Sequence, residues 1–280
     1  MTRALRILVT NDDGIESPGI RWLARMAADR GHDVAIAAPN AESSGMSAAL
    51  TAVQEAGRIV VTRSTLEGIP AYGVAASPAF IALMAGSEAF GPVPDVVLSG
   101  VNRGANAGRA VLHSGTVGAA LTAAAGGVRA MAVSLDVLTA LMATAGSGRA
   151  ALAAIDEVDD ESRHWATAGR VALDLLPSLA AAPPGTILNV NTPDVPHDQL
   201  PGVRRGALAL FGQVQMTVVE SGEGFVRTTV EATGHAPEPG TDLAVLAAGY
   251  ACVTELRGVA EARPLWTYLG SMNNAGQSAG

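Results

Sequence analysis

The sequence predicts an α/β fold, a Rossmann-like, doubly wound and mostly parallel sheet extended by a C-terminal β-hairpin arm. Three observations carry this. Short β-runs alternate with helix-patterned stretches up to residue 135. Two of the runs, Asp95–Ser99 and Ala130–Leu135, read as buried strands. The chain has 280 residues, 49% of them hydrophobic and 16% charged, which suits one large domain with a sizeable core.

The elements follow in order. Residues 6–10 read as the first strand. Pro18 to Arg30 reads as a helix: Pro18 fits the first turn, Ile20, Leu23 and Ala27 lie at helical spacing, and Gly31 suits the C-cap. Asp33 to Ala38 is a strand closed by Pro39, and a polar loop runs from Asn40 to Ser47. Arg58–Arg63 and Tyr72–Val74 are β-runs, and Ser77–Met84 is a helix with proline in its first turn. Thr116–Ala125 is a helix of small residues.

The second half differs. Residues 138–164 are alanine-rich and then acidic (Asp156-Glu157-Val158-Asp159-Asp160-Glu161), which predicts an inserted surface segment with a solvated acidic face. Ala166–Leu176 reads as a helix ended by Pro177, and Thr186–Val190 as a strand. Residues 206–232 alternate in β fashion (Val214, Met216, Val218; Phe225, Arg227, Thr229) and predict the hairpin arm. Asp242–Glu255 holds a final strand. The expected organisation is a core of residues 1–205 with 233–256, the arm at 206–232 and a tail at 257–280.

Composition excludes several functions. Net charge is −8 and the sequence pI about 5.1, with no basic block, which argues against a nucleic-acid duplex as partner. All 18 basic residues are arginine, so P-loop lysine and Schiff-base chemistry are absent. Cys252 is the only cysteine, which leaves no intrachain disulfide and no thiolate metal cluster. No signal-peptide pattern and no uninterrupted run of 18 apolar residues is present, so no membrane partner and a cytoplasmic location are expected.

Chemistry concentrates where strands end. Thr10-Asn11-Asp12-Asp13-Gly14 closes the first strand. Adjacent carboxylates repel and are costly to desolvate unless a cation or strong donors lie between them. The same residues also suit a turn and a helix N-cap. Two further loops, Pro39–Gly45 and Ser99–Asn106, each follow a predicted parallel strand and can converge on one crevice. Together they offer carboxylate, hydroxyl and amide oxygens, a set suited to Mg²⁺ or Mn²⁺. A fourth stretch, His113-Ser114-Gly115-Thr116-Val117-Gly118, opens a helix and suits either phosphate or a simple cap.

In this order the four stretches resemble the SurE family of metal-dependent 5′/3′-nucleotidases, and Leu188–Pro193 and Gly240-Thr241-Asp242 extend the match. The resemblance implies one divalent cation per chain, Mg²⁺ or Mn²⁺, held by Asp12, Asp13, Ser44 and Asn102. It implies a phosphomonoesterase, of 5′-nucleotidase or acid-phosphatase type, acting on nucleoside monophosphates. Asp12 and Asp13 would be catalytic, and Asn106, Ser114, Gly115, Thr116 and Arg103 would hold the phosphate. It also implies a homodimer or homotetramer. The alternative is a non-catalytic nucleotide-binding or assembly protein with the same fold. One departure stands out: where the family usually carries Asp-Cys, this chain has Phe80-Ile81.

Overall fold

The computed structural model describes residues 3–43, 45–144, 150–151, 154–155, 158–232 and 236–258. The chain opens with β1 (Arg6–Thr10), α1 (Pro18–Asp29) and β2 (Asp33–Pro39). Two short antiparallel pairs follow: β3 (Gln54–Glu55) with β4 (Arg58–Ile59), and β5 (Val61–Leu66) with β6 (Ile69–Val74). Then come α2 (Pro78–Ala85), β7 (Val96–Arg103), α3 (Gly115–Ala125), β8 (Arg129–Asp136) and α4 (Leu138–Thr144). The second half holds α5 (Trp165–Ala181), β9 (Ile187–Pro193), β10 (Val203–Arg205), β11 (Val214–Gly222), β12 (Phe225–Ala232), α6 (Asp242–Ala247) and β13 (Ala251–Leu256).

Among the described residues the main sheet has nine strands in the order β10-β13-β9-β8-β7-β1-β2-β6-β5. The six from β9 to β6 are mutually parallel. β5 runs antiparallel to β6, and β13 antiparallel to β9. The order reverses beside β1, with β7 on one side and β2 on the other, so the carboxyl end of β1 opens onto a crevice suited to ligands.

Burial on both faces explains why the central strands read as apolar runs. Ile7, Val9, Val96, Leu98, Met131 and Val133 pack with Ile20 and Leu23 of α1 and with Leu173 and Leu176 of α5. Leu8, Val97, Ala130 and Ala132 face α2 and the alanines of α3. Each leucine or isoleucine in this core contributes about 2–3 kcal/mol by leaving water. Ser77 caps α2 by accepting from the Phe80 N–H at 3.4 Å, Phe80 is half-buried, and Ile81 is fully buried in that helix.

Two local expectations are corrected, and one further element is added. α5 runs through Pro177 to Ala181 instead of ending there. Proline removes one N–H, but Leu173, Leu176 and Leu179 are buried along the same helix, and their packing outweighs the missing bond. A six-residue helix, α6, precedes the last strand; Thr241 caps it through the Ala244 N–H at 3.3 Å. The segment from 138 to 164 is not uniformly superficial: Leu138, Ala151 and Arg163 are buried. Within the acidic run, Asp156 and Glu157 lie outside the described residues, while Asp159 caps a turn and Asp160 is ion-paired.

Candidate functional site

The turn after β1 is built by local hydrogen bonds. Asn11 Nδ2 donates to the Gly14 carbonyl at 2.9 Å and to Ser17 Oγ at 2.7 Å, which bends the chain sharply. Gly14, at φ +96°, supplies the left-handed residue the bend needs. The loop after β2 docks against it, with the Ser43 N–H donating to the Asp12 carbonyl at 2.7 Å. Asp12 is therefore fixed from two strand ends at once, and its side chain is buried.

The Asp12 carboxylate enters the N-terminus of α3. Thr116, itself fully buried, donates its hydroxyl to Asp12 Oδ1 at 2.5 Å, and its backbone N–H adds a second bond. Gly115 is required by this approach: a Cβ there would lie 2.7 Å from Asp12 Oδ2. Ser114 caps the same helix, accepting from the Val117 N–H at 3.1 Å. Asp12 thus supplies the anion that a helix N-terminus favours, and the Thr116 proton is committed to it.

Asp13 stands in a harsher environment. It receives the Arg103 backbone N–H, but its Oδ2 is buried with no hydrogen-bond partner. Burial, then the charge of Asp12, pushes its pKa up to about 7. Asp12 is also raised by burial, with Thr116 opposing. Two neighbouring carboxylates that both resist ionisation, one with an oxygen aimed at nothing, fit a cation between them. Among the described residues no group of three or more His, Cys, Asp or Glu is placed to hold a metal ion. A cation here would complete its shell with neutral oxygens, the donor set of Mg²⁺ or Mn²⁺.

Asn102, near the end of β7, offers one. Its Nδ2 donates to the Gly104 carbonyl at 2.7 Å, which leaves the amide oxygen Oδ1 as its acceptor. β7 reaches this geometry by an irregularity between Ser99 and Asn102. Gly100 permits it: at φ +139°, any Cβ would fall 2.1 Å from the Val133 carbonyl oxygen. Ser44 lies outside the described residues.

Asn106 is held from three directions. Its N–H donates to Asn191 Oδ1 at 2.8 Å, its Nδ2 to Ser134 Oγ at 3.0 Å, and its carbonyl accepts from Asn189 and Asn191 at 2.7 and 3.0 Å. Sequence reasoning assigned no role to Ser134, Asn189 or Asn191. The polar residues interrupting the apolar patterns of β8 and β9 were the available signal. Thr10 and Ser99, paired across β1 and β7, were missed too; both hydroxyls are buried without partners under the crevice. Arg103 extends from the end of β7, its Nη1 4.0 Å from Asp160 Oδ1. His113 is exposed at the end of a short 3₁₀ turn.

Comparison with known proteins points to one family. The family described as "Survival protein SurE" matches residues 7–214. A "5′-nucleotidase SurE" from Syntrophobacter fumaroxidans is 34% identical over 255 residues, covering 90% of this chain and 93% of that protein. A protein of the same name from Desulfatibacillum aliphaticivorans is 36% identical over 71% of this chain and 70% of its own length. The crystal structure of the SurE protein from Aquifex aeolicus shares the fold, with a TM-score of 0.68 at 24% identity over 96% of this chain and 99% of that one.

Proposed function

This chain belongs to the SurE family, and from that premise we propose that it is a 5′-nucleotidase, a phosphoric monoester hydrolase that splits nucleoside monophosphates with the aid of one divalent cation. The observation that carries the reading is the buried, unpartnered Asp13 oxygen beside an Asp12 already gripped by Thr116. Asp12, Asp13, Asn102 and Ser44 would hold the cation, Mg²⁺ or Mn²⁺. When bound, it neutralises phosphoryl oxygen charge and eases formation of a nucleophile from water.

The chain's own groups then position the substrate, which is most of what phosphoryl transfer demands. Thr116 fixes one oxygen of Asp12, so the carboxylate has a set orientation for polarising the attacking water. Asn106, immobilised by Ser134, Asn189 and Asn191, presents a preformed face to the phosphate. Ser114, Gly115 and Thr116 bound the phosphate region at the start of α3, and Arg103 supplies positive charge at its rim.

Self-association through the arm belongs to the same proposal. Met216 and Val218 of β11 are 72% and 65% exposed, and Phe225 and Val226 of β12 are exposed as well. An isolated two-stranded hairpin with such a surface needs a covering partner, and a second copy supplies it. Sedimentation should give a dimer or tetramer that M216E/V218E dissociates. No described helix is long and apolar enough to cross a membrane.

The decisive assay is phosphate release from nucleoside monophosphates and p-nitrophenyl phosphate. Turnover should appear with Mn²⁺ or Mg²⁺ and vanish with EDTA. Pure protein that releases no phosphate under any metal condition sinks the proposal.

A further inference from the structure

We propose that a cavity at the amino-terminal edge of the sheet is a second binding site, for a small organic anion with an apolar body. It lies at the opposite end of β1 from the Asp12–Asp13 crevice, and the inference does not depend on the phosphatase reading.

The cavity measures about 690 Å³ and is walled by the residues that open β1, β7 and β8 and by the C-terminal half of α5. That volume lies in the range of small-molecule sites. The five residues of β1 set it roughly 17 Å from Asp12. One wall is apolar: Leu173, Leu176, Pro177 and Ala180 of α5, with Leu5 beside them. The other is basic. Arg3, Arg30, His32 and Arg129 line it against a single acid, Asp95, in a chain whose net charge is −8.

Most of these basic groups are already committed. Arg3 pairs with Asp95 at 2.6 Å, and Arg30 with Asp174 at 2.7 Å. His32 Nδ1 accepts the Leu5 N–H at 3.3 Å, which leaves Nε2 as the nitrogen that carries the proton. Burial, then the charge of Arg30, lowers its pKa, so the ring is a neutral donor near pH 7. Arg129 is the exception. It is half-buried at the start of β8, and among the described residues it has no carboxylate partner. Its Nε donates to the Ala182 carbonyl at 2.6 Å, which anchors the side chain at the C-terminus of α5. That bond leaves the Nη1 and Nη2 amines, the pair that can meet a carboxylate, phosphate or sulfonate side by side. A half-desolvated cation without a counter-ion is costly to hold. The chain supplies the anchored charge and the apolar wall, and a ligand with one anionic group on an apolar body completes both.

The probe is 2-naphthoate, a carboxylate on an apolar ring system, with 2-naphthalenemethanol as its neutral counterpart. Both are titrated into the full-length chain by calorimetry. The carboxylate should bind once per chain and about tenfold tighter than the alcohol, the margin of a charge-assisted pair. Arg129→Gln should remove most of that margin and leave the alcohol unchanged, whereas Ala180→Trp, which fills the apolar wall, should weaken both. Asp13→Ala should leave both titrations as in wild type. No saturable binding of 2-naphthoate, equal affinity for the alcohol, or wild-type affinity in Arg129→Gln overturns the proposal. So does an equal loss of both ligands in Arg129→Gln, which would make Arg129 a structural cap of α5. Binding lost in Asp13→Ala overturns it as well, by placing the ligand in the other crevice. If Arg129→Gln does not fold, Arg129→Lys keeps the charge without the fork. A twofold or greater loss of 2-naphthoate alone then supports the site, and unchanged affinity overturns it.

Discussion

Two acidic regions of this molecule bury carboxylate oxygens and treat them in opposite ways. Asp242, fully buried at the start of α6, accepts the backbone N–H groups of Gly108 at 2.7 Å, Ala209 at 3.0 Å and Leu243 at 2.9 Å. It ties the loop after β7 to the base of the arm, and its donors are all internal. At the end of β1 Asp12 is buried and Asp13 half-buried, yet the buried Asp13 Oδ2 meets no donor and its pKa is pushed to about 7. A buried acid that the chain satisfies is architecture. One that the chain leaves unsatisfied is held for something from outside.

The sharpest way to break this contrast is to delete one acid from each region. Asp13→Ala should lower phosphate release at least about a thousandfold and leave stability within about 1 kcal/mol of wild type, because it removes an unfavourable buried charge. Asp242→Ala should do the reverse in stability, losing about 3–5 kcal/mol by stranding three N–H groups. Its metal affinity at the Asp12–Asp13 crevice should stay near wild type. Denaturant melts and metal titration calorimetry on both variants check this. Retained turnover in Asp13→Ala would remove that residue from the site.

Acidity separates the regions next. The folded pKa of Asp13, about 7, lies above the ordinary 3.8, so the folded state holds this proton more tightly than the unfolded chain. The metal-free protein should then gain stability from this group as pH falls from above 7 toward 4, and lose it as pH rises through 7. A cation reverses the preference, because it binds only the ionised form. Melting temperature in EDTA should drop by a few degrees between pH 6 and pH 8. The slope should flatten with saturating Mg²⁺ and in Asp13→Asn. Calorimetry at pH 6 should also detect about one proton released per cation bound. A flat EDTA profile contradicts the assignment.

Smaller effects concern the support behind Asp12. Thr116→Val keeps shape and removes the hydroxyl bonded to Asp12 Oδ1. Metal affinity should fall about tenfold, the usual consequence of losing a ligand's supporting hydrogen bond. Thr116→Ser should restore most of it. Equal affinity in the valine variant would mean that the backbone N–H alone orients the carboxylate.

What the chain revealed before folding divides along the same line. The parallel core was legible because its strands are contiguous apolar runs. The Asp12–Asp13 pair and Asn102 were legible because strand ends and their loops are local in sequence. The ties that give these residues their geometry are not local: Thr116 reaches Asp12 across 104 positions, and Asn191 reaches Asn106 across 85. Arg163 and Asp160 hid inside an acidic stretch whose composition reads as solvated. α5 crosses Pro177 because the buried leucines on both sides of it outweigh one missing N–H. In each case tertiary contacts overrode a local rule.

The smallest predicted effect applies the contrast to two serines. Ser99 Oγ is buried beneath the crevice with no partner, whereas Ser134 Oγ accepts from Asn106 Nδ2 at 3.0 Å. Both lie on parallel strands whose neighbours pack tightly, so replacing either hydroxyl by hydrogen removes similar volume. Ser134→Ala leaves the Asn106 amide without its acceptor and should destabilise by about 1 kcal/mol, with a rise in KM as Asn106 loosens. Ser99→Ala removes a group whose desolvation nothing offsets, so it should be neutral or stabilising by up to about 1 kcal/mol in the metal-free protein. With Mg²⁺ and phosphate bound, that advantage should shrink if the hydroxyl is held for the filled crevice. Chemical melts of the two variants, with and without Mg²⁺ and phosphate, read both signs. If Ser99→Ala destabilises the empty protein as much as Ser134→Ala does, the Ser99 hydroxyl is structural and belongs with Asp242 rather than with Asp13.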